Sequence, residues 1–363
     1  MEQIIREDIN RMLAQRQDLS ALHNKTVLIS GANSFLMSYF SYLILENNRK
    51  NRGNTTLIAL CRSKTNAQMR LAPYWEDPNL HILIQDVRER VVWEGGADFC
   101  IHAASPAGIQ SRQEKPLDTF QINLLGCQNL LEFARENSCR KFLLLSSVDV
   151  YGSFPEQRRR QETDIGVLDW TYWRNAYSCG KRGAETLCQL YYAQYGLPCV
   201  AVRPFQVYGP GMPLTDGRLH GDFVRQLLEG DRIGLKSDGS AIRSFLYLSD
   251  ATHALLDVLF YGEPGEIYNI CDEGGECSVR ELAELYVEQW GRGSEVEFHY
   301  DKRETPEVKE ALHAVTGDSA KLRALGWGGR VGLKDGIART LKFYAGLAGN
   351  NKSSGPKDIT IQF

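Results

Sequence analysis

Residues 25–46 read KTVLISGANSFLMSYFSYLILE, and this stretch decides the fold. Lys25-Thr26-Val27-Leu28-Ile29-Ser30 is a short apolar run with β-branched residues, so it reads as a buried strand. Gly31-Ala32-Asn33 supplies a tight turn, and over 35–46 the pattern is helical. A strand, a glycine turn and a helix in that order aim backbone N–H groups and a helix N-terminus at one point, an arrangement suited to a phosphate.

Outward from this unit the alternation continues. Strands are expected at 56–60, 81–85, 98–102, 141–147 and 198–203, and helices at 117–137 and 173–195. Apolar strands without polar alternation, joined by helices, predict an α/β fold: a doubly wound parallel Rossmann sheet with a smaller α/β C-terminal lobe for substrate. Ligands of such sheets bind beyond the strands' C-terminal ends, where Gly31, Asp86, Ala103, Ser147 and Arg203-Pro204 fall. The expected organisation is an amphipathic helix in 1–25, the dinucleotide-binding domain in 26–203 rejoined by 242–270, the substrate lobe in 204–241 and 271–345, and a mobile tail in 346–363. Ile4, Ile5, Ile9, Met12 and Leu13 give the first helix an apolar face that must lie on its own domain or on a second subunit.

Composition narrows the function. The 363 residues carry a net charge of −3 with scattered basic residues, which argues against a nucleic-acid groove or an anionic membrane surface. The nine cysteines are an odd number, lie mostly in apolar runs and form no Cys-x-x-Cys pair; they read as reduced core residues of a cytoplasmic protein, with no metal site. No apolar run approaches the ~20 residues of a membrane span, and Glu2, Arg6, Glu7 and Asp8 stand where a signal peptide would be apolar.

Chemistry is concentrated in Tyr177 and Lys181, four residues apart and on one face of a helix. A free tyrosine titrates near ~10, and bringing it to about 7 takes roughly 4 kcal/mol of preference for the phenolate. A lysine ammonium and a cationic cofactor ring can supply that, while Ser147 holds the substrate oxygen whose proton the tyrosine removes. The competing reading of the same spacing is an exposed helix face.

These motifs, in this order, resemble an extended short-chain dehydrogenase/reductase of the NAD-dependent epimerase/dehydratase family, which acts on nucleotide sugars. The resemblance runs over 26–343. It rests on 29–32, Asp86-Val87, the His102 to Pro106 run, Asn123 with Gly126 and Asn129, 146–152, Tyr177 with Lys181, 203–210 and 243–250. UDP-glucuronate decarboxylases are similar through the Ala-Ser-Pro-Ala run at 104–107, the Asp216-Gly217-Arg218 loop and the Arg243 segment.

The resemblance implies roles. Tyr177 would take a proton from a sugar hydroxyl, usually at C4, as the nicotinamide accepts hydride. Lys181 would hold the nicotinamide ribose and Ser147 would steer the hydroxyl. Cofactor contacts would come from Gly31, Asn33, Ser34, Phe35, Leu36, Arg62, Asp86, Val87, Ala103, Ala104, Ser105, Lys181 and Pro204, and substrate contacts from Gln206, Arg218 and Arg243. Dehydratases of the family carry an acid directly after the residue matching Ser147, where this chain has Val148, so 4,6-dehydration is disfavoured. Decarboxylases carry glutamate at the site of Asp149, one methylene longer. Two of the family's three turn glycines are replaced, by Ser34 and Met37. Arg62 stands where NAD-selective relatives place an aspartate, which keeps NAD and NADP both open and leans toward NADP. The implied function is a nucleotide-sugar epimerase or decarboxylase. The alternatives are a 4-keto reductase or dehydratase of the same family, or a binding protein that does not turn over. Relatives pair through two helices per subunit, which implies a homodimer through 117–137 and 173–195, with Leu130, Leu131, Leu187 and Leu190 between subunits.

Overall fold

Val27, Leu28 and Ile29 are fully buried in β1 (Thr26–Ser30), an inner strand of a seven-stranded sheet. The structure is a computed structural model that describes residues 1–106, 108–154, 156, 158–299 and 315–350. Ala107 of the 104–107 run and the expected tail beyond 350 therefore lie outside the described residues. In chain order the other strands are β2 (Thr56–Cys61), β3 (Leu80–Ile84), β4 (Phe99–His102), β5 (Lys141–Leu145), β6 (Cys199–Pro204), β7 (Gln206–Tyr208), β8 (Arg232–Leu235), β9 (Ile242–Tyr247), β10 (Ile267–Ile270), β11 (Glu276–Ser278) and β12 (Glu295–Phe298). The main sheet runs β3-β2-β1-β4-β5-β6-β10 with every pairing parallel. This is the expected doubly wound Rossmann architecture, and the order reverses between β1 and β4.

Helices cover both faces, among them α1 (Gln3–Gln15), α2 (Phe35–Asn51), α3 (Lys64–Leu71), α4 (Ile109–Glu114), α5 (Pro116–Glu136), α6 (Ala176–Tyr195), α7 (Leu219–Gly230) and α8 (Leu248–Tyr261). One apolar cluster joins α1, α2 and α8 to one face of the sheet, and a second joins α5 and α6 to the other.

The first helix lies on its own chain. Ile4, Ile5, Ile9 and Met12 of α1 are buried, and so is Asp8. The Asp8 carboxylate accepts from the Tyr39 hydroxyl at 3.1 Å, the Tyr247 hydroxyl at 2.7 Å and Arg339 Nη2 at 2.7 Å. Burial alone would make that charge costly; three donors from three different elements offset it and lock α1 in place.

Three sequence expectations need correction. Of the 242–270 segment, only β10 enters the main sheet, beside β6; β9 lies in a separate three-stranded sheet between β7 and β11. The place beside β6 is taken by β10, and β9 pairs parallel with β7 and antiparallel with β11 instead. The expected tail begins too early, because a helix runs Leu333–Asn350. Leu130 and Leu131 are fully buried inside their own subunit, so they cannot line a subunit interface. The apolar side chains that α5 and α6 do expose are Leu117, Leu125, Leu190, Tyr192 and Tyr195.

Candidate active site

Two adjoining clefts open at the C-terminal edge of the sheet, and they share Asn33, Ser34, Ala103 and Ser105. One, of about 450 Å³, lies over the Gly31 turn and the ends of β2 and β3. The other, of about 530 Å³, lies over the ends of β5 and β6 and under the segment that leads into α7.

The turn of the first cleft is glycine for a steric reason. Gly31 has φ +70°, and a Cβ there would stand 3.0 Å from Ala104 Cα and N. Ser30, one residue earlier, holds the facing segment: its Oγ accepts from Ala103 N at 3.1 Å and Ala104 N at 3.2 Å, and bonds His102 Nδ1 at 2.8 Å. With both lone pairs engaged, the serine proton points at His102 Nδ1. The imidazole stays neutral, since burial first and the charge of Lys181 second push its pKa down to about 3. Across the cleft, Asn129 Nδ2 donates to Val87 O at 2.9 Å and a Cβ on Gly126 would meet Val87 Cγ2 at 2.8 Å, so α5 seats Asp86-Val87. Asp86 is held by the Arg88 side chain and backbone N–H, which keep its carboxyl below the usual range. Arg62 lines the same cleft together with Ser63 and Asn66.

Met37, at the third glycine position of the turn, is fully buried within the core cluster. Its side chain turns inward, away from the cleft. Ser34 occupies the second position at the cleft floor, where its small side chain leaves the helix N-terminus accessible. A turn that only glycine fits, a helix N-terminus and a cleft lined by Asp86 and Arg62 therefore suit an anionic dinucleotide.

In the second cleft α6 carries Tyr177 and Lys181. Close approach sets its position: a Cβ on Gly180 would meet Asn123 Cβ at 3.0 Å, so glycine lets α6 press against α5. Tyr177 lies in the first turn of α6, 9% exposed. Lys181, one turn on, is almost wholly buried; its Nζ donates to Leu145 O at 2.6 Å and stands 5.9 Å from the centre of the Tyr177 ring. Burial, more than any neighbour, brings the ammonium down to about 8. Ser147 caps the short 3₁₀ turn Val148–Tyr151, its Oγ accepting from Asp149 N at 3.1 Å. That leaves the serine proton free to donate into the cleft.

Every residue expected to be catalytic or to bind ligand lines one cleft or the other. Tyr177, Lys181, Ser147, Asp149, Phe35, Leu36, Pro204, Gln206, Arg218 and Arg243 line the second, Gly31, Arg62, Asp86, Val87 and Ala104 the first, and Asn33, Ser34, Ala103 and Ser105 both. Arg218 Nε bonds Asp216 Oδ2 at 2.7 Å, and burial pushes the Arg243 guanidinium down.

Sequence reasoning missed Arg112. From α4 its guanidinium lies 3.4 Å over the Tyr177 ring centre, its Nη1 bonds Asp149 Oδ2 at 2.9 Å and its Nε bonds Pro106 O at 3.1 Å. It also missed Arg70, which lines the same cleft and donates to Gly211 O at 3.0 Å. No spacing signal marks either one, because each arrives from an element whose place depends on the tertiary fold. Two further buried polar groups brace the surrounding fold: His102 bonds the Ser30 hydroxyl, and Asp250 accepts from Arg330 N at 2.7 Å and Val331 N at 2.8 Å.

The chain as a whole is similar to known proteins. The family model described as NAD dependent epimerase/dehydratase family matches residues 27–271. UDP-glucuronic acid decarboxylase 3 of Arabidopsis thaliana is 30% identical over 315 residues, 86% of this chain and 87% of that protein. The crystal structure of DesIV, a dTDP-glucose 4,6-dehydratase from Streptomyces venezuelae with NAD and TYD bound, is 25% identical, with a TM-score of 0.75 over 90% of this chain and 99% of that one. The Thermus thermophilus UDP-glucose 4-epimerase in complex with NAD is also 25% identical, with a TM-score of 0.71 over 88% and 99%.

Proposed function

Because the chain belongs to the NAD dependent epimerase/dehydratase family, we propose that it acts on a nucleotide sugar by transient oxidation at C4, with Tyr177 as base, and ends in decarboxylation of a uronic acid or in epimerisation. The observation that carries this reading is the convergence of Tyr177, Ser147, Lys181 and Asp149 on one cleft that adjoins the Gly31 turn. When bound, a nicotinamide dinucleotide supplies the oxidant that takes the C4 hydrogen with its electron pair and later returns it. The Gly31 turn, Asp86 and Ala103–Ser105 would hold it, with Lys181 at the nicotinamide ribose. Arg62 would favour the 2′-phosphate of NADP.

Each step asks something specific of this chain. Tyr177 accepts the C4 hydroxyl proton, and Ser147, whose lone pair already serves Asp149 N–H, donates to the same oxygen. Arg218 and Arg243 pair with the diphosphate, where guanidinium geometry suits two oxygens at once. Once C4 is a ketone, the outcome depends on C5 and C6. Val148 offers no proton to a leaving C6 hydroxyl, so loss of water across C5 and C6 is unsupported. In a uronic acid the C4 ketone makes the sugar a β-keto acid. The C5–C6 bond then breaks, its electron pair moves into the C4 carbonyl as an enolate, carbon dioxide leaves, and C5 is reprotonated. The step requires a polar partner for the charge that develops on that enolate, a role Asp149 would fill from the floor of the same cleft. The similarity to UDP-glucuronic acid decarboxylases supports a uronate. A ketone that instead turns over in the cleft and is reduced on its other face gives the 4-epimer.

The test is to incubate the protein with NAD or NADP and a panel of nucleotide hexoses and uronates, following products by NMR. Carbon dioxide and a pentose nucleotide, or a 4-epimer, are expected. A 4-keto-6-deoxy product would sink the argument from Val148, and no conversion of any substrate would overturn the catalytic reading.

A further inference from the structure

The Tyr177 phenol meets charged groups from four directions. Lys181 comes from its own helix, Asp149 from the turn after β5, Arg218 from the segment before α7 and Arg112 from α4. The spacing of Tyr177 and Lys181 assigns the stabilisation of the phenolate to the lysine, yet the geometry ranks the groups otherwise. The Lys181 ammonium is committed to Leu145 O and lies 5.9 Å from the ring centre; the Arg112 guanidinium lies 3.4 Å from it, in stacking contact. Arg112 is also fixed in place. Its Nε is tied to Pro106 O, its Nη1 to Asp149, and its side chain is 24% exposed. A cation stacked on a phenol gains when the ring becomes a phenolate, because the ring then carries more negative charge. Asp149, bonded to the same guanidinium, works the other way: it offsets part of the positive charge and adds a negative one near the phenol.

We propose that Arg112 is a positioning residue that acts through Tyr177: its stacked guanidinium favours the phenolate, and the Asp149 carboxylate bonded to it sets how much of that charge the phenol feels. In the free protein burial pushes the Tyr177 phenol up, Arg112 is the strongest influence pulling it down, Asp149 opposes, and Ser147 and Arg218 add smaller downward pulls. The arrangement gives the site a phenol whose readiness to take a proton depends on an arginine–carboxylate pair beside it. A substrate that drew Asp149 away from the guanidinium would strengthen the activation, and a substrate that left the pair intact would keep it as it is.

The inference rests on Tyr177 as base only for its consequence in turnover, so its test needs no substrate. Ultraviolet difference titration at the tyrosinate band, each protein measured against its own Tyr177→Phe counterpart, isolates this one phenol among the sixteen tyrosines. Relative to wild type, Arg112→Gln should move the Tyr177 transition to higher pH by about one unit, a tenfold change in proton affinity. Arg112→Lys, which keeps a charge without the stacked plane, should fall between the two. Asp149→Asn should move the transition to lower pH. A role confined to holding the loop would not move one phenol in opposite directions when the two partners of one ion pair are removed. Coincident Arg112→Gln and wild-type transitions, or Arg112→Gln and Asp149→Asn shifts of the same sign, would overturn the proposal. Failure of the substrate panel would leave these titrations intact, so the two readings fail separately.

Discussion

The buried pair Glu185–Arg203 is the place to test what holds Tyr177 and Lys181 in position. Glu185 lies one turn after Lys181 on α6, and Arg203 is on β6. Arg203 grips the carboxylate with two parallel bonds, Nε to Oε1 at 2.9 Å and Nη2 to Oε2 at 2.8 Å, while Ser146 Oγ donates to Oε1 at 2.6 Å. The side chains are 9% and 8% exposed. At 2.8 Å and an effective dielectric constant near 20 the Coulomb attraction is roughly 6 kcal/mol, and it is opposed by the cost of burying both ions, several kcal/mol each. Burial works against the charge on Arg203, but Glu185 outweighs it and the guanidinium is held above its ordinary range. The pair is therefore near balance as a whole and costly to break by halves. Arg203→Met leaves a buried carboxylate with the Ser146 hydrogen bond and no bonded cation, and Glu185→Gln leaves a buried guanidinium with neutral acceptors alone, among them the Glu162 carbonyl at 2.9 Å, and the face of Tyr151. Each single change should cost about 3–5 kcal/mol in urea unfolding, and the double variant, which keeps a neutral acceptor for Ser146 and no buried charge, only about 1–2. The coupling energy would then be several kcal/mol. Singles that each cost less than about 1 kcal/mol and simply add, as exposed pairs do, would show that this pair does not anchor α6.

The remaining predictions concern the clefts and pH. Tyr177→Phe should lower turnover by about 10²–10⁴-fold while calorimetric titration shows dinucleotide binding nearly unchanged; turnover within about tenfold of wild type removes the tyrosine from the role of base. Arg62→Asp should shift preference from NADP toward NAD in the same titration, and equal affinities for both in wild type would mean that Arg62 does not reach the ribose. His220 is buried, stacked on Tyr208 with ring centres 4.1 Å apart and bonded to the Tyr286 hydroxyl at 2.7 Å, and burial lowers its pKa to about 3. A histidine depressed on folding has its full stability above its unfolded pKa and loses it as pH falls below, so between pH 7 and 5 this one group should cost about 2 kcal/mol. His220→Asn should therefore show a flatter fall in Tm over that range than wild type, and parallel curves would mean that the imidazole charges in the fold.

The sequence made the site legible because topology does most of the placing. In a parallel sheet every strand ends on the same edge, so Gly31, Asp86, Ala103, Ser147 and Pro204 come together once the strands are found, whatever the intervening helices do. Spacing of four on one helix likewise puts Tyr177 and Lys181 on one face. What spacing cannot report is which groups reach that face from elsewhere. Arg112 follows Pro106 by six residues, and its direction is set by a bond to the Pro106 carbonyl and by Asp149, neither of which leaves a period in the sequence. β9 misled for a related reason: Phe245-Leu246-Tyr247 is as apolar as a core strand and is buried, but the position beside β6 belongs to β10. Asp149 joins the two kinds of information. Read alone it is a glutamate shortened by one methylene and so a weaker candidate for reaching C5. In the fold the short side chain meets Arg112 at 2.9 Å across the face of Tyr177. On the proposed reading the short carboxylate and the arginine act together: Asp149 gives up reach toward the sugar and sets how much charge Arg112 presents to the Tyr177 phenol.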